Sequence, residues 1–290
     1  FARALEFTGK TGMDRILAVG DTGVKKDIKK ILEIHGLMRS TIALEGTLAW
    51  LENQNIGLPE AVDLVKSIKN KTSISETILS QLANFCSKQE GMDVLVKTTL
   101  LESLSAFPDL SFEKLEKFLE ACMDDVDLRL KLTSIGLIKG NSLKNFTRKI
   151  VEKLGSQEIQ DDEKLSLLET VPALKAMDSF QIITNILSGA RSQKESLRVR
   201  QAALQSLFAL DPDKSAKHIQ GLLDSVLFHD KLKSEALQLL SGTPTGAKVL
   251  YDYFESGKSD PALLPLISES LKTHGLKSPE GKDLNSLVLR

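Results

Sequence analysis

The histidines and cysteines are the residues that could carry nucleophilic or metal chemistry, and their spacing supports neither. No two histidines are three or four residues apart, the spacing that places two ligands on one helix face. The cysteines lie in apolar helical stretches, form no CxxC pair and have no histidine at ligand spacing. We therefore expect no catalytic residue, metal ligand or cofactor. The residues considered are His35, His218, His229, His274, Cys86 and Cys122.

Other chemical motifs are also missing from the sequence. There is no GxGxxG after a strand, no phosphate-binding loop and no GxSxG elbow, and a helical chain lacks the strands that these motifs follow. Acidic clusters at 124–127 and 158–164 fall where turns or helix starts are expected, which favours helix-dipole compensation over calcium binding. His218 and His229, one helix apart, remain a pair that a groove could bring together.

A basic segment, VKKDIKK at residues 24–30, concentrates positive charge in the N-terminal third together with Arg15 and Arg39. A phosphate-facing surface could use such a cluster. However, the formal net charge is −1 and no aromatic residues are interleaved for base stacking. Trp50 is predicted to be a core or groove residue. Nucleic-acid binding is therefore disfavoured and is kept as the second alternative function.

The elements that must position these residues are amphipathic helices, as SLRVRQAALQSLFALDPD at residues 196–213 illustrates. Val199, Ala203, Leu207 and Leu210 follow one another at spacings of four, four and three, which places them on one side of a helix. Arg200 lies at the edge of this apolar stripe. The Asp-Pro dipeptide that follows is predicted to end the helix, because the residue before proline disfavours the α conformation.

The same template, an apolar residue followed by a basic one and then by spaced apolar positions, recurs along the chain. It often has Asp three positions before its start. The successive starts are separated by 72, 32, 71 and 33 residues, and missing members fall near residues 60 and 163. We predict that all five starts are buried on the second helix of a helix pair. They are Val24, Val96, Leu128, Val199 and Leu232.

A unit of this size holds two helices and two turns, and the pattern resembles the HEAT-type repeat. The composition, with 5% aromatic and 27% charged residues, agrees with an all-helical chain. We therefore predict an all-α fold, a right-handed α-solenoid of stacked antiparallel helix pairs, with about eight repeats forming one domain over residues 1–290. No membrane span is predicted. Neither end resembles a polar cap, so we expect a segment of a longer chain.

A second resemblance concerns residues 239–264, LLSGTPTGAKVLYDYFESGKSDPALL. This segment is similar to the helical-repeat region of large secreted bacterial proteins that join a β-propeller dehydrogenase-like domain, HEAT-type repeats and a c-type haem domain. The resemblance implies a structural spacer, placed in the periplasm or elsewhere outside the cytoplasm. The CxxCH that binds haem in that family is absent here. The matching residues are Thr243-Pro244, Gly246-Ala247, Leu250 and Glu255-x-Gly257-Lys258.

The candidate functional residues are the basic positions beside the apolar stripe. Because they share one offset, we expect them to lie along one side of the solenoid and to pair with turn carboxylates such as Asp93 and Asp125. Surface pairs contribute about 0 to 1 kcal/mol each, so their role would be to set the register between neighbouring repeats more than to add stability. The leading hypothesis is a non-catalytic scaffold that binds a protein or neighbouring domains of its parent chain, with the spacer as first alternative. The positions are Lys25, Lys97, Arg129, Arg200 and Lys233.

Overall fold

The computed structural model describes residues 34, 48 and 58–288, except for short gaps at 72–73, 89–92, 108–109, 111, 157, 190–194, 224, 226–227, 258–259 and 278–282. Over these residues the regular elements are helical, which confirms the predicted all-α class, and the strand-like pairing is limited to an isolated bridge between Lys277 and Asp283. The chain divides into two compact units, Phe1–Leu143 and Lys144–Arg290. One continuous solenoid over residues 1–290 stays a prediction.

The first unit contains five described helices in which alternate members pack together. α1 packs on α3 and α3 on α5, while α2 contacts α4, and α4 and α5 form a pair. The helices are α1 (Leu58–Ser67), α2 (Glu76–Lys88), α3 (Val94–Leu104), α4 (Glu116–Asp124) and α5 (Leu128–Gly140).

The second unit repeats this arrangement. α7 packs on α9, α9 on α11 and α11 on α13, while α10 packs on α12. Sequential neighbours also pair, most extensively α8 with α9. The helices are α6 (Thr147–Gly155), α7 (Asp161–Leu174), α8 (Phe180–Ser188), α9 (Leu197–Leu210), α10 (Pro212–Gln220), α11 (Asp230–Ser241), α12 (Pro244–Glu255), α13 (Leu264–His274) and the short α14 (Leu284–Val288).

The odd-numbered helices α1 to α13 recur at a nearly constant step along the sequence. They begin at residues 58, 94, 128, 161, 197, 230 and 264, so successive starts are 33 to 36 residues apart. Helices are thus present near residues 60 and 163, where the sequence template matched poorly. We call these seven the second helices, and α2, α4, α6, α8, α10 and α12 the first helices.

Side-chain caps mark where α3, α5, α9 and α11 begin. Asp93 Oδ1 accepts a hydrogen bond from the backbone N–H of Leu95 at 2.7 Å, and Ser196 Oγ accepts one from Val199 at 3.3 Å. Such bonds satisfy donors that have no partner within the helix. Asp211 ends α9 in an extended conformation, which confirms the predicted Asp-Pro stop, and its side chain also caps α10.

The buried positions confirm most of the predicted register. Val96, Val199 and Leu232 are buried in the core of their units. Val24 lies outside the described residues. The burial predicted for Leu128 is wrong, because this side chain is partly exposed and Leu130 is the fully buried residue.

The cause of the shift in α5 is the choice of cap. Asp125 and Asp127 both lie in the turn before the helix, and Asp127 is the one whose side chain accepts from the backbone N–H of Leu130, at 3.1 Å. Asp125 instead accepts from the backbone N–H of Asp127 at 3.0 Å. The repeat in α5 therefore starts two residues later than the sequence pattern suggested, at Leu130.

Candidate functional site

When the second helices are aligned at their first buried residue, a basic residue follows that position in every second helix from α3 to α11. Two of these basic residues, Lys131 and Lys164, were not predicted. In α5 the sequence pattern predicted Arg129 at the position that Lys131 occupies. Lys164 was missed because Glu163 occupies the position that is apolar elsewhere, with only 1% of this residue exposed. The five seam cations are Lys97, Lys131, Lys164, Arg200 and Lys233.

The first of these cations forms the predicted link to a turn carboxylate. Lys97 Nζ lies 3.5 Å from Asp125 Oδ2, in the turn that precedes the next second helix, α5. The backbone N–H of Asp127 lowers the pKa of Asp125, and the Lys97 ammonium adds to this, although burial opposes both. Asp93, the other predicted partner, serves as the cap of α3.

A corresponding link in the second unit is more deeply buried. Lys164 Nζ lies 2.8 Å and 2.9 Å from the two carboxylate oxygens of Glu195, the residue before the cap of α9. The two side chains are only 8% and 11% exposed. Beside them, Lys153 Nζ of α6 lies 3.6 Å from Glu163 Oε1. Four charges of alternating sign thus join the starts of α7 and α9 to α6.

The other predicted cations have different contacts. Arg200 Nε donates to the backbone carbonyl of Leu187 at the end of α8, at 2.9 Å, and burial lowers the pKa of its guanidinium. Lys233 Nζ lies 5.2 Å from the centre of the Tyr253 ring, a cation–π distance. Arg129 is exposed, and its Nη2 lies 3.3 Å from Oε1 of Glu102 on α3. Lys25 lies outside the described residues.

The outward side of the second helices also repeats. From α3 to α13, the residues one and eight positions after the helix start are exposed in every case, and a spacing of seven places both on one side of a helix. Polar bonds cross between neighbouring helices here, as between Gln205 Nε2 and Glu235 Oε1 at 2.6 Å. We call these positions the second-helix face of each unit: Leu95, Glu102, Arg129 and Gly136 in the first unit, and Asp162, Glu169, Arg198, Gln205, Lys231, Gln238, Pro265 and Lys272 in the second.

A cleft of about 470 Å³ opens on the first helices of the second unit, between α8 and α10. Lys214 Nζ stands 4.0 Å from the centre of the Phe180 ring at this cleft. Thr184, Lys217 and His218 also line it. No sequence pattern predicted this cleft apart from the position of His218, because the cleft is lined by first helices, which do not follow the repeat template.

The residues singled out for chemistry are mostly accounted for by local structure. Cys122 is 2% exposed, and burial raises the pKa of its thiol to about 12, far above the range in which a thiolate forms. His229 caps α11 through Nδ1, and His274 Nε2 lies 3.1 Å from the Ser241 carbonyl oxygen. The described part of the chain holds no cluster of three or more histidine, cysteine or carboxylate side chains that could bind a metal ion.

The segment at 243–257 has a local structural explanation, and Lys258 lies outside the described residues. Thr243 Oγ1 caps α12 by accepting from the backbone N–H of Gly246 at 2.9 Å, and Pro244 occupies the first turn. A Cβ at Gly246 would overlap the backbone carbonyl of Leu240. Gly257 follows α12 with φ of 70°. These residue types are therefore those that the α11–α12 turn and the end of α12 require.

No family model, curated protein or solved structure matches this chain, so both resemblances stay predictions. Within the residues that the structure describes, no helix combines the length and the apolar character needed to cross a membrane.

Proposed function

We propose that this chain is a non-catalytic helical-repeat scaffold, a HEAT-type α-solenoid whose second-helix face binds a protein partner or a neighbouring domain of the parent chain. The observation that carries the proposal is the recurrence of the same two exposed positions on six successive second helices. Stacked repeats commonly use such a repeated surface for extended binding.

The links beneath the face support this assignment. Lys97 reaches Asp125, and Lys164 reaches Glu195, in each case the turn before the next second helix of the same unit. These cations are engaged in holding neighbouring repeats in register, and they lie behind the outward positions. The outward positions are exposed, and some of them also pair with each other, as Arg198 does with Asp162.

The charges on the face favour protein over nucleic acid as the partner. Asp162 and Glu169 on α7 are negative, whereas Arg198 on α9 and Lys231 on α11 are positive. Phosphate backbones are bound by surfaces of one sign, because each contact neutralises a negative charge. A polar surface of mixed sign resembles the rim of protein interfaces.

Photo-crosslinking in the source organism tests the proposal. A photoreactive amino acid is placed at Gln205 or Gln238 on the face, and at the exposed Gln220 or Lys248 on α10 and α12 as controls. We expect both face positions to crosslink one and the same protein, or the same flanking domain, and the controls to crosslink neither. Absence of a crosslink from both face positions, or equal crosslinking from the controls, would contradict the proposal.

A further inference from the structure

The cleft between α8 and α10 holds two polar groups that lack partners. Thr184 is 5% exposed, and its Oγ1 forms no hydrogen bond within the protein. The Nε2 atom of His218, on the opposite helix, is also buried without a partner. Both side chains line the cleft. Buried polar groups in native proteins are usually bonded, so two orphaned groups on side chains that line one cleft need an explanation.

Threonine and serine hydroxyl groups of other described helices include both paired and unpaired examples. Thr99, Thr133 and Thr170 each donate to the carbonyl four residues earlier, at 2.6 to 2.8 Å. Thr184 does not make that bond to the carbonyl of Phe180, although it lies in a helix. Thr98 and Ser215 are likewise buried without partners, and neither lines the cleft.

The charges around the cleft indicate what could partner these atoms. Lys214 and Lys217 are exposed on α10 and line the cleft, and Asp178 is the one acidic residue of its lining. Two ammonium groups against one carboxylate leave positive charge there. A threonine hydroxyl and a histidine N–H both donate hydrogen bonds. Because these donors lie beside positive charge, the ligand that fits them best is one with an anionic acceptor atom.

We propose that this cleft binds an anionic oxygen group, a phosphate or a carboxylate, which accepts hydrogen bonds from the Thr184 hydroxyl and the His218 Nε2–H while Lys214 and Lys217 neutralise its charge. Both donor atoms are closed to solvent, so the two side chains turn toward the ligand as it enters. The site is on the first helices and does not depend on the function proposed for the second-helix face.

Binding should be coupled to protonation of His218. Burial lowers the pKa of this imidazole from its ordinary value of 6.5, so the ring is neutral at pH 7. A bound anion favours the protonated ring, as Asp178 does, whereas Lys214 and Lys217 oppose it. Affinity for acetate, whose charge is constant over this range, should therefore rise as the pH is lowered from 8 toward 6.

Histidine ring NMR of the full chain tests the proposal with two probes, sodium phosphate and sodium acetate, each titrated against sodium chloride at constant ionic strength. We expect a saturable shift of the His218 Cε1–Hε1 signal, with His229 and His274 unaffected. Saturation by phosphate alone assigns a phosphate ligand, and saturation by acetate assigns a carboxylate. No saturable His218 shift with either anion would overturn the proposal.

Variants distinguish binding from nonspecific effects. Lys214→Gln with Lys217→Gln should weaken binding of the anion about tenfold, because the two exposed charge contacts that are lost together approach the free energy that changes affinity by this factor. Lys248→Gln, an exposed lysine on α12, is the matched control and should change nothing. Thr184→Val should weaken binding without lowering the melting temperature, because it removes an unpaired buried hydroxyl. Unchanged binding in Thr184→Val and in the double lysine variant would overturn the proposal.

Discussion

Replacing Glu195 with glutamine tests whether the buried pair with Lys164 holds α7 and α9 together. The change keeps the size of the side chain and removes its charge, so the Lys164 ammonium stays buried without its counterion. The two side chains are 8% and 11% exposed, and both carboxylate oxygens lie within 2.9 Å of Nζ. Breaking a buried pair of this kind costs about 3 to 5 kcal/mol.

The assay is urea unfolding followed by far-ultraviolet circular dichroism, which gives the free energy of unfolding by linear extrapolation. Asp162→Asn provides the matched control, because it breaks the Arg198–Asp162 pair between the same two helices, at 3.3 Å, with side chains 75% and 56% exposed. An exposed pair is worth about 0 to 1 kcal/mol. The double variant Lys164→Met with Glu195→Leu should recover most of the loss, since it removes both charges.

The reasoning would be refuted if Glu195→Gln cost no more than Asp162→Asn. It would also be refuted if the double variant were less stable than Glu195→Gln alone, because the loss would then not come from an uncompensated charge.

The remaining predictions concern single positions. Cys122 should resist alkylation at pH 8 in the folded protein and react after unfolding, as peptide mass spectrometry can measure, because burial raises its pKa to about 12. The free energy of unfolding should fall as the pH drops below about 6.5, because His218 binds a proton in the unfolded chain but stays neutral in the folded one, where burial lowers its pKa. The dependence of the free energy of unfolding on pH should be weaker in His218→Gln. Gly246→Ala should lower the free energy of unfolding by about 1 to 3 kcal/mol through overlap with the Leu240 carbonyl. Lys175→Gly should raise it by about 1 kcal/mol, because Lys175 ends α7 with φ of 54°; thermal or urea unfolding checks both.

The fold was predictable where local chemistry decides the outcome. The Asp-Pro dipeptide at 211 and 212 ends α9 because proline restricts the residue before it. Val96 and Val199 are buried because an apolar stripe at helical spacing has to face a neighbouring helix. The pairing of Lys97 with Asp125 followed from the same spacing.

The rest depended on choices that become visible only in three dimensions. Two aspartates could cap α5, and a hydrogen bond to Asp127 decides the register. Glu163 breaks the apolar pattern, and Lys153 of a different helix compensates its charge. The unpaired Thr184 hydroxyl cannot be read from the sequence, because most of the other buried threonines bond to their own helix.

Distances between spin labels within the second unit test the stacking of second helices most directly. With Cys86 and Cys122 replaced by alanine, label pairs at 169 and 238 and at 169 and 272 span two and three steps of the proposed stack. Packed helices lie about 8 to 10 Å apart, so the second distance should exceed the first by roughly that amount. An equal or shorter distance for 169 and 272 would contradict stacked repeats and the binding face built on them.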